Sequence, residues 1–482
     1  MAERNYNLAL LCDFYEFTMG NGYMLSDKKD TEACFDLFFR KVPDDGGFAI
    51  AAGLEDVVKF VEDLHFEDED IDFLRSKGIF SEEFLRYLRN FDFACDIYAV
   101  PEGTPIYPNE PILTVKGPAI QAQLLETMLL LLINHQSLIA TKSNRIVRAA
   151  MGRPVFEFGT RRAQGSNAAI MGARAAYIGG CAGTACAVCE QLYGVPAVGT
   201  MAHSWIQMYD DEYTAFAEYA RLYPDGCTLL IDTYNVLKSG VPNAIKVHNE
   251  ILAPMGKRLK GVRIDSGDIA YLTKKTRKML DEAGLQDAKI FVSNSLDEYI
   301  IRDILLQGAQ VDIFGVGERL ITSKSEPVFG GVYKLVAAER NGVLEPKIKV
   351  SENVEKITTP GFKKIYRLFS NQTGRMVADL IALADEEFDF TQPMTLFDPV
   401  HTWKRKTFTD YTVKQILEPI FIRGKRVYDL PGIEQIKTYC AEQVGKVWDE
   451  ALRLENPQTY YVDLSEKLYQ TKQRLLVEYS GK

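Results

Sequence analysis

Cysteine and long apolar runs are scarce in this chain, and its 56 lysines and arginines are outnumbered by 66 aspartates and glutamates. Its 482 residues include only eight cysteines, and no signal peptide precedes them, which predicts reduced thiols in a cytoplasmic protein. The longest apolar run, around residues 128–133, is too short to span a bilayer, so we expect no membrane partner. The formal net charge of −10 argues against a nucleic-acid-binding protein, because phosphate contacts need a basic surface.

Metal-binding cysteine motifs are also scarce. Cys181, Cys186 and Cys189 form the one cluster, and no second pair stands at zinc-finger spacing. The surrounding glycines and alanines are typical of tightly packed helices. We therefore expect no structural zinc.

What the chain does contain is the composition of an ordinary globular protein, with 46% apolar and 25% charged residues. Residues 1–135 mix helical and strand patterns, which predicts an α+β domain. Strand-like alternation returns at about residues 340–395 and is expected to complete that domain, because short strands need a sheet to join. Residues 396–482 are predicted to form a mainly helical C-terminal extension, with one long helix over 433–454.

Between these regions, residues 136–339 alternate short apolar strands with helical patterns. The predicted strands lie at residues 154–158, 197–198, 227–231, 261–264, 289–292 and 311–314. Each is followed by a polar or glycine-rich cluster, which is typical of βα units around a parallel sheet. The pattern fits a small or incomplete barrel, or a doubly wound sheet. In either fold, ligands bind at the C-terminal ends of the strands.

A histidine opens a helical pattern in the middle of this region. His203 follows a turn of small residues, and apolar residues then recur at helical spacing to about residue 222. The start of a helix favours a neutral imidazole and stabilises any phosphate that it receives. A single histidine at such a position is more often structural, so the other strand ends decide its interpretation.

Basic and acidic residues stand at those strand ends. Arg161 and Arg162 follow the strand at 154–158, and a guanidinium group suits phosphate or carboxylate. Arg263 and Asp265 lie at the end of the strand at 261–264, and Asp232 ends the preceding one. Such carboxylates could hold a ribose diol or Mg²⁺, although Asp-Ser-Gly-Asp (265–268) is also a common turn and helix cap.

The last two strands of the region end in small and polar residues. Asn294 follows the strand at 289–292, and a Gly-x-Gly sequence formed by Gly315 and Gly317 follows the last strand. Glycines let backbone N–H groups approach a phosphate closely. Together, the strand ends predict a site for a phosphorylated sugar with a metal ion.

Five of these segments resemble motifs of the nicotinate phosphoribosyltransferases. They are Phe-Gly-Thr-Arg-Arg-Ala-Gln-Gly (158–165), Gly-Thr-Met-Ala-His-Ser-Trp (199–205), Val-Arg-Ile-Asp-Ser-Gly-Asp (262–268), Val-Ser-Asn-Ser-Leu-Asp-Glu (292–298) and Phe-Gly-Val-Gly-Glu (314–318). Cys-Asp-Phe-Tyr-Glu-Phe-Thr-Met (12–19) is similar to the first helix of that family. The resemblance runs in order from about residue 7 to 340.

The resemblance implies an α/β fold with three parts. Residues 1–135, completed by about 340–395, would form an α+β sandwich domain. Residues 136–339 would form an irregular, incomplete βα barrel of mostly parallel strands, and residues 396–482 a mixed C-terminal extension. The chain would form a homodimer in which the partner's N-terminal region completes each active site.

The resemblance also implies the reaction. Nicotinate and phosphoribosyl pyrophosphate would give nicotinate mononucleotide and pyrophosphate in NAD biosynthesis, with Mg²⁺ and with coupling to ATP hydrolysis. His203 would carry a phosphate, and Asp265 would be a catalytic residue that holds the ribose and Mg²⁺. The expected nicotinate contacts are Tyr15, Thr200 and Arg263, and the expected phosphate contacts are Arg161, Arg162, Asn294, Gly315 and Gly317.

One residue departs from the family pattern. Glu318 follows the Gly-x-Gly sequence where some relatives have threonine, and a carboxylate is a poor phosphate contact. The alternatives are a nicotinamide or quinolinate phosphoribosyltransferase on the same fold, and a catalytically silent relative that binds nucleotide. The presence of His203, Arg263 and Asp265 weighs against a silent site.

Overall fold

The computed structural model describes residues 7–480. The chain divides into two compact units. Unit 1 comprises Met1–Leu138 and Val328–Lys482, and unit 2 comprises Ile139–Pro327.

The α-helices of the described residues are numbered in chain order. They are α1 (Phe14–Met24), α2 (Leu54–Asp63), α3 (Asp68–Ser76), α4 (Glu82–Arg89), α5 (Ala119–Leu124), α6 (Glu126–Ala149), α7 (Ser166–Ile178), α8 (Ala187–Tyr193), α9 (His203–Gln207), α10 (Glu212–Leu222), α11 (Val241–Val247), α12 (Ile269–Glu282), α13 (Glu298–Leu306), α14 (Glu318–Ile321), α15 (Ile433–Val444) and α16 (Glu466–Ser480). No helix in residues 7–480 is long and apolar enough to cross a membrane.

The strands are numbered in the same way. They are β1 (Glu32–Phe38), β2 (Ala49–Ile50), β3 (Asp96–Ala99), β4 (Pro105–Ile106), β5 (Leu113–Pro118), β6 (Val155–Glu157), β7 (Gly183–Thr184), β8 (Thr228–Leu230), β9 (Gly261–Ile264), β10 (Lys289–Ser293), β11 (Ile313–Val316), β12 (Val332–Arg340), β13 (Val343–Pro346), β14 (Lys363–Ser370), β15 (Met376–Leu383), β16 (Met394–Phe397), β17 (Arg405–Phe408), β18 (Tyr411–Gln415), β19 (Glu418–Ile422), β20 (Lys425–Arg426) and β21 (Val462–Leu464).

Unit 2 is built around a six-stranded parallel sheet in the order β7-β6-β11-β10-β9-β8. Its central strands are apolar on both faces, and Leu229, Val262, Ile290 and Phe314 are fully buried. Burial of both faces produces the short continuous apolar runs that mark these strands in the sequence. The α/β fold expected from those runs is confirmed, and all six strands present their C-terminal ends at one edge.

The sheet follows the strand order of a barrel that is open at one seam. β11 pairs with β6, which joins the last strand of the region to the first. The two edge strands are β7 and β8, and no ladder joins them within the described part of the chain. Next to β7, Ala197 forms an isolated parallel bridge with Thr184, and the Val198 N–H donates to the Thr184 carbonyl at 2.8 Å. The predicted incomplete barrel therefore has its seam beside residues 197–198.

Unit 1 contains a seven-stranded sheet, β13-β12-β1-β5-β3-β19-β20, and a four-stranded sheet, β18-β14-β15-β21. β1 lies inside the larger sheet and is buried over six of its seven residues. Its one buried acid, Asp36, accepts a hydrogen bond from Thr114 and forms an ion pair with Lys363 at 2.7 Å. A buried charge is tolerated when it is paired in this way.

The prediction of a mainly helical C-terminal extension is wrong. Residues after 396 contribute β17 to β21 as well as α15 and α16, and β19 and β21 join the two main sheets of unit 1. The helix predicted over 433–454 ends at Val444, and Gly445 follows it as the C-cap residue. The strand pattern is hidden here because β17 and β20 are largely exposed and polar.

The long helix predicted after His203 is also wrong. The structure has the five-residue helix α9, beginning at His203, and then α10. Asp211 separates the two, because its carboxylate caps α10 by accepting from the Thr214 N–H at 2.7 Å. The helix-dipole argument for His203 therefore applies to little more than one turn of helix.

Candidate active site

The C-terminal edge of the parallel sheet in unit 2 carries most of the predicted site residues. Asp232 follows β8 closely, Asp265 follows β9 directly, and Ser293 is the last residue of β10. Because these strands are neighbours in register, their ends bring the three side chains to one place.

His203 faces this edge from the start of α9. Its Nδ1 atom lies 3.1 Å from the Thr233 hydroxyl, and its Nε2 atom lies 3.9 Å from the Asp265 Oδ2 atom. The His203 and Asp265 side chains are each 39% exposed. The imidazole is therefore oriented by the protein and also accessible to a ligand.

The two aspartates belong to one hydrogen-bonded network. The Asp232 Oδ2 atom accepts from the Asp265 N–H at 3.1 Å and from the Ser266 hydroxyl. The Asp265 Oδ1 atom accepts from the Ser293 hydroxyl. The second oxygen of Asp232, Oδ1, is buried and has no hydrogen-bond partner in the described residues. An unmatched buried carboxylate oxygen is costly, and such atoms are typical of ligand sites.

Arg263 is the positive group of the same edge. Its Nη1 atom donates to the Thr200 hydroxyl at 2.6 Å, and its buried Nε atom has no partner in the part of the chain that the structure describes. Burial lowers the pKa of Arg263, and repulsion by Arg161 lowers that pKa further, while Asp265 and Asp232 raise it. An anionic ligand bound beside Arg263 would offset the cost of burying this guanidinium group.

Arg161 and Arg162 lie in a 3-10 turn after β6. The buried carboxylate of Glu157 supports the start of this turn by accepting from the Gly159 N–H, and it also accepts from Thr184 at 2.6 Å. Both arginines are exposed, so the turn presents two guanidinium groups to solvent.

Glu318, the residue that departs from the family pattern, is already paired. Its carboxylate accepts from the Lys324 ammonium at 2.7 Å and lies 3.9 Å from the Arg162 Nε atom. The hydrogen bond from Lys324 lowers the pKa of Glu318, and Arg162 and Arg319 add to the effect. Nearby cations therefore offset the charge that made this residue a poor phosphate contact.

Gly315 and Gly317 are required by packing as well as by any ligand. Gly315 lies inside β11 rather than in a turn, and a Cβ atom there would stand 2.5 Å from the Phe158 ring. A Cβ atom on Gly317 would stand 3.0 Å from the Phe158 carbonyl oxygen. Asn294 has a φ of 146°, and its side-chain oxygen accepts from the Ser295 N–H. All three positions shape the backbone at the strand ends.

Tyr15 belongs to unit 1, in the first turn of α1. Its side chain is 43% exposed. Burial of its inner part raises the pKa of Tyr15, and the negative charge of the Glu126 carboxylate raises the pKa further.

Unit 2 thus brings His203, Thr200, Arg263 and Asp265 together by direct or linked contacts, with Arg161 close enough to act on Arg263. Asp232 was noticed in the sequence as an acidic strand end that could hold a ribose diol or Mg²⁺, but it was not chosen as a site residue. Thr233 and Ser293 were missed. Small hydroxyl residues are common at strand ends, and their one distinguishing signal was their position beside Asp232 and Asn294.

Metal-ligating residues are limited at this edge. No group of three or more histidine, cysteine, aspartate or glutamate side chains within residues 7–480 is arranged to hold a metal ion. Asp232 and Asp265 nevertheless fit Mg²⁺, which proteins commonly hold through one or two carboxylates while substrate phosphates and water supply the remaining ligands. The unmatched Asp232 Oδ1 atom supports that fit.

Comparison with known proteins supports, along nearly the whole chain, the family resemblance that the sequence motifs indicated. The N-terminal domain model of nicotinate phosphoribosyltransferases matches residues 10–134, the family model matches 154–357, and the C-terminal domain model matches 362–472. A nicotinate phosphoribosyltransferase from Bacillus subtilis (strain 168) is 42% identical over 474 residues, which cover 98% of this chain and 96% of that protein. The chain belongs to the nicotinate phosphoribosyltransferase family.

Solved structures agree with this family membership. The crystal structure of human nicotinic acid phosphoribosyltransferase superposes with a TM-score of 0.83 at 30% identity, covering 98% of this chain and all of the human one. A nicotinate-nucleotide pyrophosphorylase from Pyrococcus furiosus superposes with a TM-score of 0.69 at 25% identity, covering 91% of this chain and 96% of the other.

Proposed function

We propose that this protein is a nicotinate phosphoribosyltransferase that transfers the phosphoribosyl group of phosphoribosyl pyrophosphate to nicotinate, in NAD biosynthesis, with coupling to ATP hydrolysis. The observation that carries the proposal is the cluster of His203, Arg263 and Asp265 at the sheet edge of a chain that matches this family throughout. In the transfer, the pyridine nitrogen forms a bond to C1 of the ribose. The C1–oxygen bond breaks, and pyrophosphate leaves with its electron pair.

Arg263 binds the nicotinate carboxylate in this proposal. Its unpartnered Nε atom and its lowered pKa both support a role for an anion at this position. Thr200 orients the guanidinium group through the 2.6 Å hydrogen bond. A neutral carboxamide would leave the buried arginine unpaired, which favours nicotinate over nicotinamide.

Arg161 and Arg162 bind phosphate groups of the sugar donor, with the backbone at Asn294, Gly315 and Gly317 shaping the pocket. A planar guanidinium group binds phosphate through two parallel hydrogen bonds. The side chains of Arg161 and Arg162 are exposed, and Arg162 would exchange its 3.9 Å contact with Glu318 for the polyanion. They neutralise the leaving pyrophosphate as the C1–oxygen bond breaks.

An imidazole nitrogen of His203 receives the terminal phosphate of ATP as ADP leaves, and water later removes that phosphate, so that ATP hydrolysis is coupled to the transfer. The imidazole is held by Thr233 on one side and stands beside Asp265 on the other, so it remains oriented while accessible. Asp265 binds the ribose hydroxyls. Asp232 and Asp265 would hold Mg²⁺, which when bound would neutralise charge on the donor's pyrophosphate.

The protein acts as a homodimer, and Tyr15 of one subunit stacks on the nicotinate bound by unit 2 of the other. Tyr15 supports this role because its ring is 43% exposed and so can meet a ligand.

The function is tested by supplying the purified protein with phosphoribosyl pyrophosphate and Mg²⁺, and with nicotinate, nicotinamide or quinolinate in separate reactions, each with and without ATP. We expect nicotinate mononucleotide and pyrophosphate from nicotinate, at a rate that ATP increases. Product from nicotinamide or quinolinate instead would reassign the substrate. No pyrophosphate from any of the three bases would indicate a silent, nucleotide-binding relative.

A further inference from the structure

The two segments that contact phosphate in the proposed function pack directly against each other. A Cβ atom on Gly159, the residue before the 3-10 turn at 160–162, would stand 2.5 Å from the Ile321 side chain of α14. α14 follows Gly317 directly and begins at Glu318. The turn that carries the two arginines and the Gly-x-Gly segment therefore form one surface, and Glu318 is part of it.

Glu318 is shared between two cations of this surface. Its Oε1 atom accepts from the Lys324 ammonium at 2.7 Å, and its Oε2 atom lies 3.9 Å from the Arg162 Nε atom. The side chains are 43% exposed at Glu318, 58% at Lys324 and 61% at Arg162, so packing fixes none of them. Of the two contacts, only the one with Lys324 is a hydrogen bond. The contact with Arg162 can therefore break while Glu318 stays bound to Lys324.

A phosphate group that enters this surface competes with Glu318 for Arg162. A guanidinium group holds phosphate through two parallel hydrogen bonds, whereas the carboxylate at 3.9 Å makes none to the Nε atom. Phosphate therefore displaces the carboxylate. The displaced carboxylate still repels the phosphate unless another cation neutralises it, and Lys324 already holds its other oxygen.

We propose that Glu318 sets the affinity of the site for the phosphorylated donor, by holding Arg162 while the site is empty and by passing to Lys324 alone when a phosphate binds. This inference rests on the phosphate-binding role of Arg162 in the proposed function. It gives a role to the residue at which the chain departs from the family pattern. The carboxylate weakens binding of the donor and of the pyrophosphate product alike, which favours product release, and Lys324 limits that weakening.

The test is equilibrium binding of inorganic pyrophosphate by isothermal titration calorimetry, together with KM for phosphoribosyl pyrophosphate. We expect Glu318→Gln to lower both constants by about 2- to 5-fold, because the competing charge is lost. Lys324→Met should raise both by a similar factor, because Glu318 is then left without a cation beside the bound phosphate. In the Glu318→Gln background, Lys324→Met should have no effect, since the two residues act on the phosphate as one pair.

Ionic strength and nicotinate provide two further readouts. The effects of both substitutions should shrink at about 0.5 M NaCl, because salt screens exposed charges and a purely structural role would not respond in this way. KM for nicotinate should stay unchanged in both variants. Glu282→Gln removes one negative charge from an exposed ion pair on α12 of the same unit, and as the matched control it should leave pyrophosphate binding unchanged.

The proposal is overturned if Glu318→Gln leaves the Kd for pyrophosphate unchanged or raises it. It is also overturned if Lys324→Met weakens binding equally in both backgrounds, because Lys324 would then contact the phosphate itself. Arg162→Met separates the inference from the function on which it rests. If Arg162→Met weakens pyrophosphate binding and Glu318→Gln does not strengthen it, only the role of Glu318 is wrong. If Arg162→Met has no effect, the phosphate-binding role of Arg162 is wrong and that of Glu318 fails with it.

Discussion

Each ring nitrogen of His203 faces a different polar group, Thr233 at 3.1 Å and Asp265 at 3.9 Å. A histidine that served only to pack would have its ring buried among apolar atoms. In the proposed function, His203 couples ATP hydrolysis to the transfer, whereas Arg263 recognises the nicotinate carboxylate. Substitutions at these two residues should therefore produce different kinetic defects.

The first residue-scale prediction concerns coupling. In His203→Asn, the transfer machinery remains while the group that accepts phosphate is removed. We expect residual synthesis of nicotinate mononucleotide, with rates with and without ATP within about twofold of each other. Initial rates with and without ATP provide the measurement. A variant that ATP stimulates as strongly as the wild type would show that His203 is not the coupling residue.

The second residue-scale prediction concerns the choice of base. In Arg263→Leu, the buried cation that pairs with the carboxylate is lost, so the preference for nicotinate over nicotinamide should fall. We expect a change of about 2–5 kcal/mol in relative transition-state stabilisation, which is roughly 30-fold or more. The ratio of kcat/KM for the two bases measures it. Thr200→Val is the milder comparison, since it removes one hydrogen bond to the same guanidinium group. Equal losses for both bases would contradict this assignment.

At the scale of elements, the strands of unit 2 were readily predicted from the sequence. Strands buried on both faces leave apolar runs of four to five residues, and β9 and β10 match the predicted strands to within one residue. The C-terminal strands of unit 1 gave no such signal. Three of the four residues of β17 and both residues of β20 are exposed, so no alternation of apolar and polar residues marks them.

The site was predicted in part, for related reasons. Arg263 and Asp265 were found because charged residues directly after an apolar strand are conspicuous. The network around them was not predicted, because the contacts of Asp232 with the 265–266 turn depend on strand neighbours far apart in the chain. The positions of Asn294 and Gly315 were predicted, but their packing and backbone roles are visible only in three dimensions.

A prediction at the element scale concerns β21. Asp463 on this strand is 7% exposed, and its carboxylate has no hydrogen bond or ion pair in residues 7–480; it lines a cleft of 1540 Å³ in unit 1. Burial raises the pKa of Asp463 to about 6, and repulsion by Asp398 contributes. The folded pKa lies above the ordinary value of 3.8, so the ionised carboxylate destabilises the fold above pH 6, and this cost disappears as the pH falls toward 4.

Asp463→Asn should therefore raise the free energy of unfolding by about 1–3 kcal/mol at pH 8, with little change near pH 4. Denaturant unfolding at the two pH values measures the difference. Asp385→Asn, at an exposed aspartate of the same unit, is the matched control and should show no such gain. A stabilisation of Asp463→Asn that is the same at both pH values would show that ionisation is not its cause.

At the scale of the whole molecule, the proposed homodimer makes a quantitative prediction. Tyr15→Ala and His203→Ala should each be impaired as homodimers. If Tyr15 acts in the partner's site, a mixed dimer has one site with both defects and one site with none. Random mixing of subunits makes half of the dimers mixed, so about one quarter of the wild-type activity should return. Co-expression with two affinity tags provides the mixed dimer.

The control for that experiment is a pair of defects within one site. Combining His203→Ala with Arg263→Leu should restore no activity, because both residues of a site come from the same copy of unit 2 and each site of the mixed dimer therefore carries one defect. The outcome that contradicts the shared site is no recovery from Tyr15→Ala with His203→Ala, because both sites of the mixed dimer would then carry a defect.

The seam of the barrel has a consequence for how the site moves. Asp232, Arg263 and Ser293 stand on β8, β9 and β10 or directly after them, where neighbouring strands hold the backbone. Thr200 and His203 follow the seam, and the last sheet contact before them is that of Val198 with Thr184. Residues 199–202 can therefore shift without breaking a ladder.

The amide hydrogens of residues 199–202 should exchange with deuterium at least about tenfold faster than those of β9, and ATP should slow that exchange. Phosphorylation of His203 should therefore reduce the mobility of residues 199–202 at the open seam of the barrel. Exchange as slow as that of β9 before ATP is added would show that the segment is already rigid.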